Sequence, residues 1–413
     1  MKNYENLGLS NQLDSLTSLR NRRRDVNPAE RFDPQSLVYY QVKNPGRDIS
    51  AVVALSKAGG AFTDFQDAFD YVNSLGGGRI LVMPGTYTIS SNLTIYNDTY
   101  LEGLSTNDCV VDFNSGTNNL STIGTARDVT ITNLTFQNCQ NTTTGCIYLN
   151  SADRIHIKKC RFSSNRTAGS VGYDIYGTAP SGCLITECAS TDAATFYYAE
   201  SSTGINEVSF NSISNAVSSA ILGGTSGNGG GQTVYRGNLF QGCVKSLFSG
   251  IFNYSFITDN FHVAQGSLTA TALDFNNSDY MSISNNFIQA DTSTQPCMDL
   301  DNCDYNKFTG NHFTGRSSGT PAIQLGTCTQ TIFTGNIIDT GGMGTNCDGM
   351  QLVNADNTVI TGNWIQGGNV ATSYAIDITD TTSSSNVLVG NWLTAVTGDV
   401  NDGGTFTINA NNR

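Results

Sequence analysis

PAIQLGTCTQTIFTGNII (residues 321–338), DGMQLVNADNTVITGNWI (348–365) and YAIDITDTTSSSNVLVGNWL (374–393) are three versions of one unit. Each version alternates apolar and polar residues over short runs, separates the runs with polar turn residues, and closes with a Gly-Asn pair before an apolar run. TALDFNNSDYMSISNNFI (271–288) has nearly the same layout. None shows the apolar period of a helix, so the repeat predicts short β-strands.

Asparagines mark the repeat at intervals of 22 to 28 residues. They are Asn211, Asn238, Asn260, Asn286, Asn311, Asn336, Asn363 and Asn391. Asparagine suits a tight corner because it tolerates left-handed backbone angles and because its side chains can hydrogen-bond along a stack. Carried upstream, the series passes through Cys188, Cys160 and Asn133.

A unit of this length cannot bury its own apolar side, so each unit must stack on the next. The sequence therefore predicts an all-β, single-stranded parallel β-helix of about 12 coils, on the order of 55 to 60 Å long. Charged residues make up only 13% of the 413 residues and glycine numbers 43, which suits a turn-rich stack.

The composition also bounds the partners. A net charge of -13 argues against nucleic acid as the main partner. The 11 cysteines are scattered, so we expect most of them to be free and buried, as in a reducing compartment. They lack the spacing of a metal site, and we expect no metal and no cofactor.

The first residues, MKNYENLGLSNQL, lack the apolar core of a signal peptide, and no apolar run is long enough for membrane insertion. We expect synthesis in the cytosol without a signal peptide. A protein that works outside the cell would then leave by lysis or by a route that needs no such signal.

Three segments follow from the pattern: residues 1–47, residues 48–78 and the coils at 79–413. The first holds a short amphipathic helix and a basic run, which predict an anchor to a larger particle, a short oligomerisation segment, or a helix folded on its own rod. The leucines are Leu9, Leu13, Leu16 and Leu19, and the arginines are Arg20, Arg22, Arg23 and Arg24. The second predicts an N-terminal cap with a helix at about 63–75, opened by a capping box of Thr63 and Gln66.

FTDFQDAFDYVNSLGGGRILVMPGTYTI (62–89) resembles the start of pectate-lyase-like right-handed β-helix proteins, where a capping helix precedes a Gly-rich turn and a first strand. The resemblance covers residues 58 to 409 and implies a right-handed rod. The layout is most similar to a phage tailspike or another virion-attached β-helix, although the coils leave no room for a C-terminal trimerisation domain. This resemblance implies a homotrimer that lies on a virion surface or is released extracellularly. It also implies binding of a cell-surface polysaccharide, with or without its depolymerisation. The alternatives are a purely structural virion or filament component and a free polysaccharide lyase or glycoside hydrolase.

Carbohydrate chemistry is expected on one outward column, where a central residue lies between two inward apolar ones. Its predicted members are Tyr148, Asp174, Tyr197, Leu222, Phe248, Asp274, Asp299, Gln324, Gln351 and Asp377. Aromatic rings pack on the apolar faces of sugars, while carboxylates and amides bond to hydroxyl groups. A solvated strand face with incidental rings is the alternative.

Asp274 and Asp299 fall on neighbouring coils, about 5 Å apart, and Asp301 lies about 7 Å along the strand from Asp299. Such spacings match the two carboxylates of retaining and of inverting glycoside hydrolases. These three are the candidate catalytic residues. The alternative is that they belong to a polar turn.

A second column follows the ladder asparagines and includes Phe261, Phe287, Trp364 and Trp392. The residue after each is also mostly apolar, which indicates a strand with both faces covered. We expect an oligomer interface here; a sugar platform and coverage by loops are the alternatives.

Overall fold

The computed structural model describes residues 49–413 apart from 56–59, 123, 125, 167–171, 202–203, 225–231, 264–268, 291–294, 316–318, 341–346, 370–371 and 406. The predictions made for residues 1–47, including the leucine helix and the arginine run, lie outside the described residues.

The described chain contains one α-helix, α1 (Phe65–Ser74), and 41 strands. The strands are β1 (Ile49–Val53), β2 (Gly78–Val82), β3 (Gly85–Thr88), β4 (Leu93–Ile95), β5 (Thr99–Gly103), β6 (Cys109–Asp112), β7 (Leu120–Thr122), β8 (Thr130–Thr132), β9 (Thr135–Gln137), β10 (Ile147–Asn150), β11 (His156–Lys158), β12 (Arg161–Ser163), β13 (Tyr173–Thr178), β14 (Leu184–Thr186), β15 (Ala189–Thr191), β16 (Thr195–Ser201), β17 (Asn206–Ser209), β18 (Ser212–Ser214), β19 (Ile221–Gly223), β20 (Thr233–Arg236), β21 (Leu239–Gln241), β22 (Phe248–Gly250), β23 (Phe256–Thr258), β24 (Phe261–Val263), β25 (Leu273–Asn276), β26 (Ser282–Ser284), β27 (Phe287–Ala290), β28 (Met298–Asp301), β29 (Lys307–Thr309), β30 (His312–Gly315), β31 (Ile323–Gly326), β32 (Ile332–Thr334), β33 (Ile337–Asp339), β34 (Met350–Val353), β35 (Val359–Thr361), β36 (Trp364–Gln366), β37 (Tyr374–Ile378), β38 (Val387–Val389), β39 (Trp392–Thr394), β40 (Gly398–Asp402) and β41 (Ile408–Ala410).

Every third strand joins the same parallel sheet, which is the topology of a solenoid. Sheet 1 contains 13 strands (β4, β7 and so on to β40), sheet 2 contains 15 (β1, β2, β5 and so on to β41), and sheet 3 contains 13 (β3, β6 and so on to β39). A coil runs from sheet 1 through a turn to sheet 2, round a two-residue corner to sheet 3, and back through a loop. The predicted all-β parallel β-helix is confirmed, with 13 coils and a length of about 58 Å at ~4.8 Å per strand.

Alternate side chains of each strand fill the space between the three sheets. The largest of these buried side chains include Phe136, Phe162, Phe240, Phe308 and Tyr235, each less than 2% exposed. All 11 cysteines are free and buried in this core, as predicted. Their expected link to a reducing compartment stays a prediction.

The asparagine ladder lies at the corner between sheets 2 and 3, with every member no more than 2% exposed. The Oδ1 of Asn238 accepts hydrogen bonds from the backbone N–H of Asn211 at 3.1 Å and from its Nδ2 at 3.0 Å. The Nδ2 of Asn238 donates to the Val208 carbonyl at 2.9 Å. This pattern continues through Asn391 to Asn412. The side-chain bonds along the stack are confirmed.

The left-handed residue of the corner is the one before each ladder asparagine. Gly237 has a φ of 62° and Gly310 a φ of 64°, while the ladder asparagines have no positive φ. The prediction that the asparagines themselves take left-handed angles was wrong. The same one-residue offset explains why Asn133 (φ 57°) precedes the ladder position, which is occupied by Leu134 in that coil.

Helix α1 packs on the first strands of the rod, and its apolar stripe of Phe65, Ala68, Phe69 and Val72 is buried. The residue that caps its N-terminus is Asp64, whose carboxylate accepts from the backbone N–H groups of Gln66 and Asp67 at 2.7 and 3.2 Å. The predicted Thr63 capping box was therefore wrong. The side chain of Gln66 instead accepts a hydrogen bond from the backbone of Thr94 at 2.7 Å, and that the helix caps the rod stays a prediction.

Candidate functional site

The outward residues at the centre of the sheet 1 strands form a continuous column, here called the central column. Strand register places in it Thr94, Ser121, Tyr148, Tyr176, Tyr198, Leu222, Ser249, Asp274, Asp299, Gln324, Gln351, Asp377 and Asn401. Seven of the ten predicted members are present, and neighbours in the column are one strand apart, about 4.8 Å.

Three predicted members were wrong. Asp174, Tyr197 and Phe248 are all 0% exposed, so they cannot bind a substrate at this surface. Their outward neighbours in the register are Tyr176, Tyr198 and Ser249. The inward residue that follows each of these outward residues is small: Gly177, Ala199 and Gly250. The sequence therefore lacks the pair of large apolar residues that was expected to flank each outward residue.

Four tyrosines form a cluster at the N-terminal part of the sheet 1 face. The ring of Tyr176 lies 5.5 Å from those of Tyr148 and Tyr173 and 5.0 Å from that of Tyr198, centroid to centroid. The Tyr176 hydroxyl donates to Glu200 Oε2 at 2.6 Å. Burial, and then Glu200, raises the pKa of Tyr176, so the phenol stays a neutral donor. The sequence reading found only Tyr148 of this cluster.

Three carboxylates meet further along the face. Asp274 pairs with Asp299 across neighbouring strands, and Asp301 is the next outward residue after Asp299. Burial, followed by the charges of Asp274 and Asp301, raises the pKa of Asp299 to about 6. Burial also raises the pKa of Asp274, which is opposed by a hydrogen bond from the Ser249 hydroxyl at 3.2 Å.

Asp301 has a different environment because it is exposed. Its partner on the next strand is Gly326, where an added Cβ would lie 3.3 Å from Asp301 Oδ1. The glycine lets the carboxylate lie close to the neighbouring strand, and because Asp301 is exposed, water and a ligand can reach it.

A second carboxylate pair lies near the C-terminal end of the same face. Asn401 donates through Nδ2 to Asp377 Oδ1 at 2.8 Å. Asp348, just before β34, accepts from the backbone N–H of Tyr374 at 2.7 Å. Burial, together with the charge of Asp377, raises the pKa of Asp348 to about 6, and the hydrogen bond from Tyr374 opposes this shift. Asp348 precedes its strand, so the alternation pattern did not reveal it.

Asp174 is part of a buried network beneath the tyrosine cluster. Asn165 donates through Nδ2 to Asp174 Oδ1 at 3.0 Å, and the Ser190 hydroxyl donates to Asp174 Oδ2. Burial raises the pKa of Asp174 to about 7, against these two bonds. Its role in this structure is internal.

The first outward residues of seven consecutive sheet 3 strands form an exposed strip, here called the apolar stripe. It comprises Leu239, Phe261, Phe287, His312, Ile337, Trp364 and Trp392. Phe287 lies 4.9 Å from the rings of both Phe261 and His312, and Trp392 is 62% exposed. The following residues, such as Ile365, point into the core. That the exposed side is covered stays a prediction.

Another exposed row was missed because it lies in the turn between sheets 1 and 2. Tyr254, Tyr280 and Tyr305 stack at 4.9 and 4.8 Å with their rings nearly parallel. Each has a φ near 57°, which is uncommon for an aromatic residue and is fixed here by the turn. Turn positions carry no alternation, so the pattern gave no signal for them.

The described residues contain no group of three or more His, Cys, Asp or Glu side chains placed to hold a metal ion. Within the same residues, no helix is long and apolar enough to cross a membrane.

Comparison with known proteins finds a match only among solved structures; no family model and no curated protein matches the chain. The tailspike protein of E. coli bacteriophage HK620, solved with a pentasaccharide, is 13% identical with a TM-score of 0.51, over 84% of this chain and 75% of that one. The bacteriophage CBA120 tailspike protein 3 is 15% identical with a TM-score of 0.49, over 84% of this chain and 59% of that one. The A-module of mannuronan C-5 epimerase AlgE6 from Azotobacter vinelandii is 14% identical with a TM-score of 0.48, over 84% and 94%.

At these identities the likeness concerns the fold alone, and the superposition on the HK620 tailspike agrees with the three-sheet rod described above. The chain has a parallel β-helix fold, consistent with the pectate-lyase-like right-handed β-helix predicted from its sequence.

Proposed function

We propose that this protein binds an extended polysaccharide along the sheet 1 face and hydrolyses it there. The observation that carries the proposal is the central column, in which tyrosines are followed by carboxylates and amides in one line. Its step of about 4.8 Å is close to the length of one sugar unit, so successive sugars can meet successive coils. Rings pack on the apolar faces of sugars and the polar members bond to their hydroxyl groups.

The chemistry assigned to the acids rests on their unequal surroundings. Asp299, with its pKa raised to about 6, is protonated at mildly acidic pH and donates that proton to the oxygen of the leaving sugar. Asp301 is exposed where it lies against Gly326 of the next strand, and there it accepts a proton from an attacking water molecule. Outward residues two apart on a strand are separated by about 7 Å, which suits inversion at the anomeric carbon.

Asp274 offers a second pairing with a different outcome. It lies one strand from Asp299, about 5 Å away, which is the separation of retaining enzymes. NMR of the first-formed product distinguishes the pairs, because inversion requires a water held by Asp301 and retention requires attack by Asp274.

The setting we propose is a virion surface, with residues 1–47 as the attachment to a larger particle. Support comes from the HK620 tailspike, which shares the fold and was solved with an oligosaccharide. We further propose that copies of the chain, as a trimer, cover the apolar stripe of one another. A purely structural component is the second candidate, because such a stripe serves assembly whether or not the rod binds sugar.

The test is incubation of the full chain with a panel of polysaccharides, followed by measurement of new reducing ends and of absorbance from unsaturated uronates. Hydrolysis gives only the first signal, and Asp299→Asn is expected to lower it at least a hundredfold. The matched control is Asp259→Asn, at an exposed corner position whose φ of 56° suits asparagine equally well. Assembly without binding or cleavage of any polymer would reject the proposal in favour of the structural candidate.

A further inference from the structure

The charged residues in the strands of sheet 1 are all acidic. Its 13 strands contain no Lys and no Arg, although they contain eight acidic residues. These are Asp174, Glu200, Asp274, Asp299, Asp301, Asp377, Asp399 and Asp402. All except Asp174 belong to the half of the chain after residue 199, where the proposed cleavage site lies.

The basic residues of the strands lie on the other two sheets. Arg79, Lys158, Arg236 and Lys307 are on sheet 2, and Arg161 is on sheet 3. Ion pairs are found in the same places. Arg154 pairs with Asp128 at 2.8 Å and Arg236 pairs with Glu207 at 2.9 Å, both on sheet 2 or in its turns. Across the described part of the chain, no ion pair includes a sheet 1 acid.

The described loops that enter sheet 1 do little to offset this charge. They contribute Arg166, ahead of β13, and the exposed Lys245, ahead of β22. Burial raises the pKa of Asp274 and of Asp299, the charges of Asp274 and Asp301 also raise that of Asp299, and no cation is among the causes. Among the described residues, the acids of this face therefore have neutral or acidic partners and no basic one.

A polysaccharide with an acidic group on each sugar would lay a row of negative charges on this column. The column spacing of about 4.8 Å is shorter than the screening length of roughly 8 Å at physiological salt, so the repulsion would not be screened out. With that screening included, one like-charge contact at this distance in a water-like dielectric lowers affinity about twofold. Four such contacts together lower it about twentyfold.

From this charge distribution we infer that the glycan carries no carboxylate, sulfate or phosphate on the sugars that contact Asp274, Asp299, Asp301 and Asp377. The ligand class is an uncharged polysaccharide built from neutral or N-acetylated sugars, and anionic polymers are excluded. This inference rests on the proposed function, since it names the class of glycan for the same site.

The test uses one polymer in three forms. A neutral polysaccharide that binds in the panel is oxidised at its primary hydroxyl groups to carboxylates, and part of the product is then converted to the methylamide. Binding is measured in 150 mM salt, where the screening length is about 8 Å. EDTA is added so that no divalent cation bridges two negative charges. The oxidised form is expected to bind at least tenfold more weakly than the parent, and the methylamide to recover most of that loss, because it keeps the added bulk without the charge.

Two further measurements separate charge from shape. Raising the salt concentration should narrow the difference between the parent and the oxidised form, while leaving the parent unchanged. The double variant Asp301→Asn, Asp377→Asn should lower the ratio of their affinities at least threefold, whatever its effect on binding itself, and the Asp259→Asn control should leave the ratio intact.

The outcomes distinguish failure of the uncharged-glycan inference from failure of the proposed function. Equal binding of the neutral and oxidised forms, or a panel in which only anionic polymers bind, overturns the inference and leaves glycan binding in place. A methylamide as weak as the oxidised form also overturns it, because bulk would then be the cause. Failure of every polymer to bind rejects the proposed function instead.

Discussion

Substitution of the buried Asp174 by asparagine is expected to stabilise the protein at neutral pH. In the folded chain its carboxyl accepts hydrogen bonds from Asn165 and Ser190, and burial raises its pKa to about 7 from 3.8. An asparagine keeps the shape, accepts from Asn165, and donates to the Ser190 hydroxyl, which can also act as an acceptor. The change therefore removes the ionisable group and keeps the network.

The sign follows from the raised pKa. Below pH 3.8 the carboxyl is protonated in both states and carries no penalty; as the pH rises, the unfolded chain ionises first and the free energy of unfolding falls, until it levels off above pH 7. The full difference of 3.2 pKa units corresponds to about 4 kcal/mol, of which roughly 2 kcal/mol falls between pH 5.5 and pH 7.5. Cys146 and Cys188 are close by, but burial raises the pKa of both thiols, so neither ionises in this window.

The measurement is urea unfolding of the wild type and of Asp174→Asn at several pH values between about 5.5 and 7.5, with refolding checked at each. The variant's advantage should grow with pH by about 2 kcal/mol, while Asp259→Asn stays parallel to the wild type. Parallel profiles for Asp174→Asn, or a variant less stable than the wild type at pH 7.5, would refute the reasoning.

Three other outcomes are expected. Asn311→Ala should lower the free energy of unfolding by about 3 kcal/mol, since the Asn311 side chain accepts twice from Asn286 and donates to Ile283 and to Asn336, whereas alanine at the exposed Asn302 should cost far less in the same urea assay. If Asp299 is the proton donor, the rate of hydrolysis should fall as the pH rises through about 6, and a rate that stays flat to pH 8 would exclude that role. Trp392→Ser combined with Phe261→Ser should reduce the sedimentation coefficient of the assembled protein without changing its circular dichroism; an unchanged coefficient would place the interface elsewhere.

The sequence predicted the fold well because the same residues recur in every coil. The Gly-Asn corner sets the register of the sheet 2 and sheet 3 strands, and the alternation in runs such as Ile323 to Leu325 sets that of sheet 1. The prediction failed where the inner residues become small. At Gly177 and Gly250 the core is filled by large neighbours such as Tyr197 and Phe248, so an aromatic residue taken as outward was in fact part of the core.

The candidate site was predicted only in part, for a related reason. Asp274, Asp299 and Asp301 lie within regular strands, where alternation alone identifies the outward side. Asp348 and the Tyr254, Tyr280 and Tyr305 row lie in loops and turns, where the direction of a side chain depends on backbone angles that the pattern does not contain. The choice between Asp64 and Thr63 as the helix cap was likewise a matter of local geometry between two residues that are both good caps.

The asparagine ladder makes the length of this rod adjustable in whole coils. Each coil contributes the same three hydrogen bonds at the corner, as Asn311 and Asn336 show, so neighbouring repeats offer nearly identical joints. Excising residues 312–336 would join Asn311 to Ile337 at an equivalent position and shorten the rod by about 4.8 Å. Such a deletion would bring the tyrosine cluster and the Asp377 pair one sugar length closer. The distance between these two parts of the sheet 1 face can therefore be changed in steps of one coil.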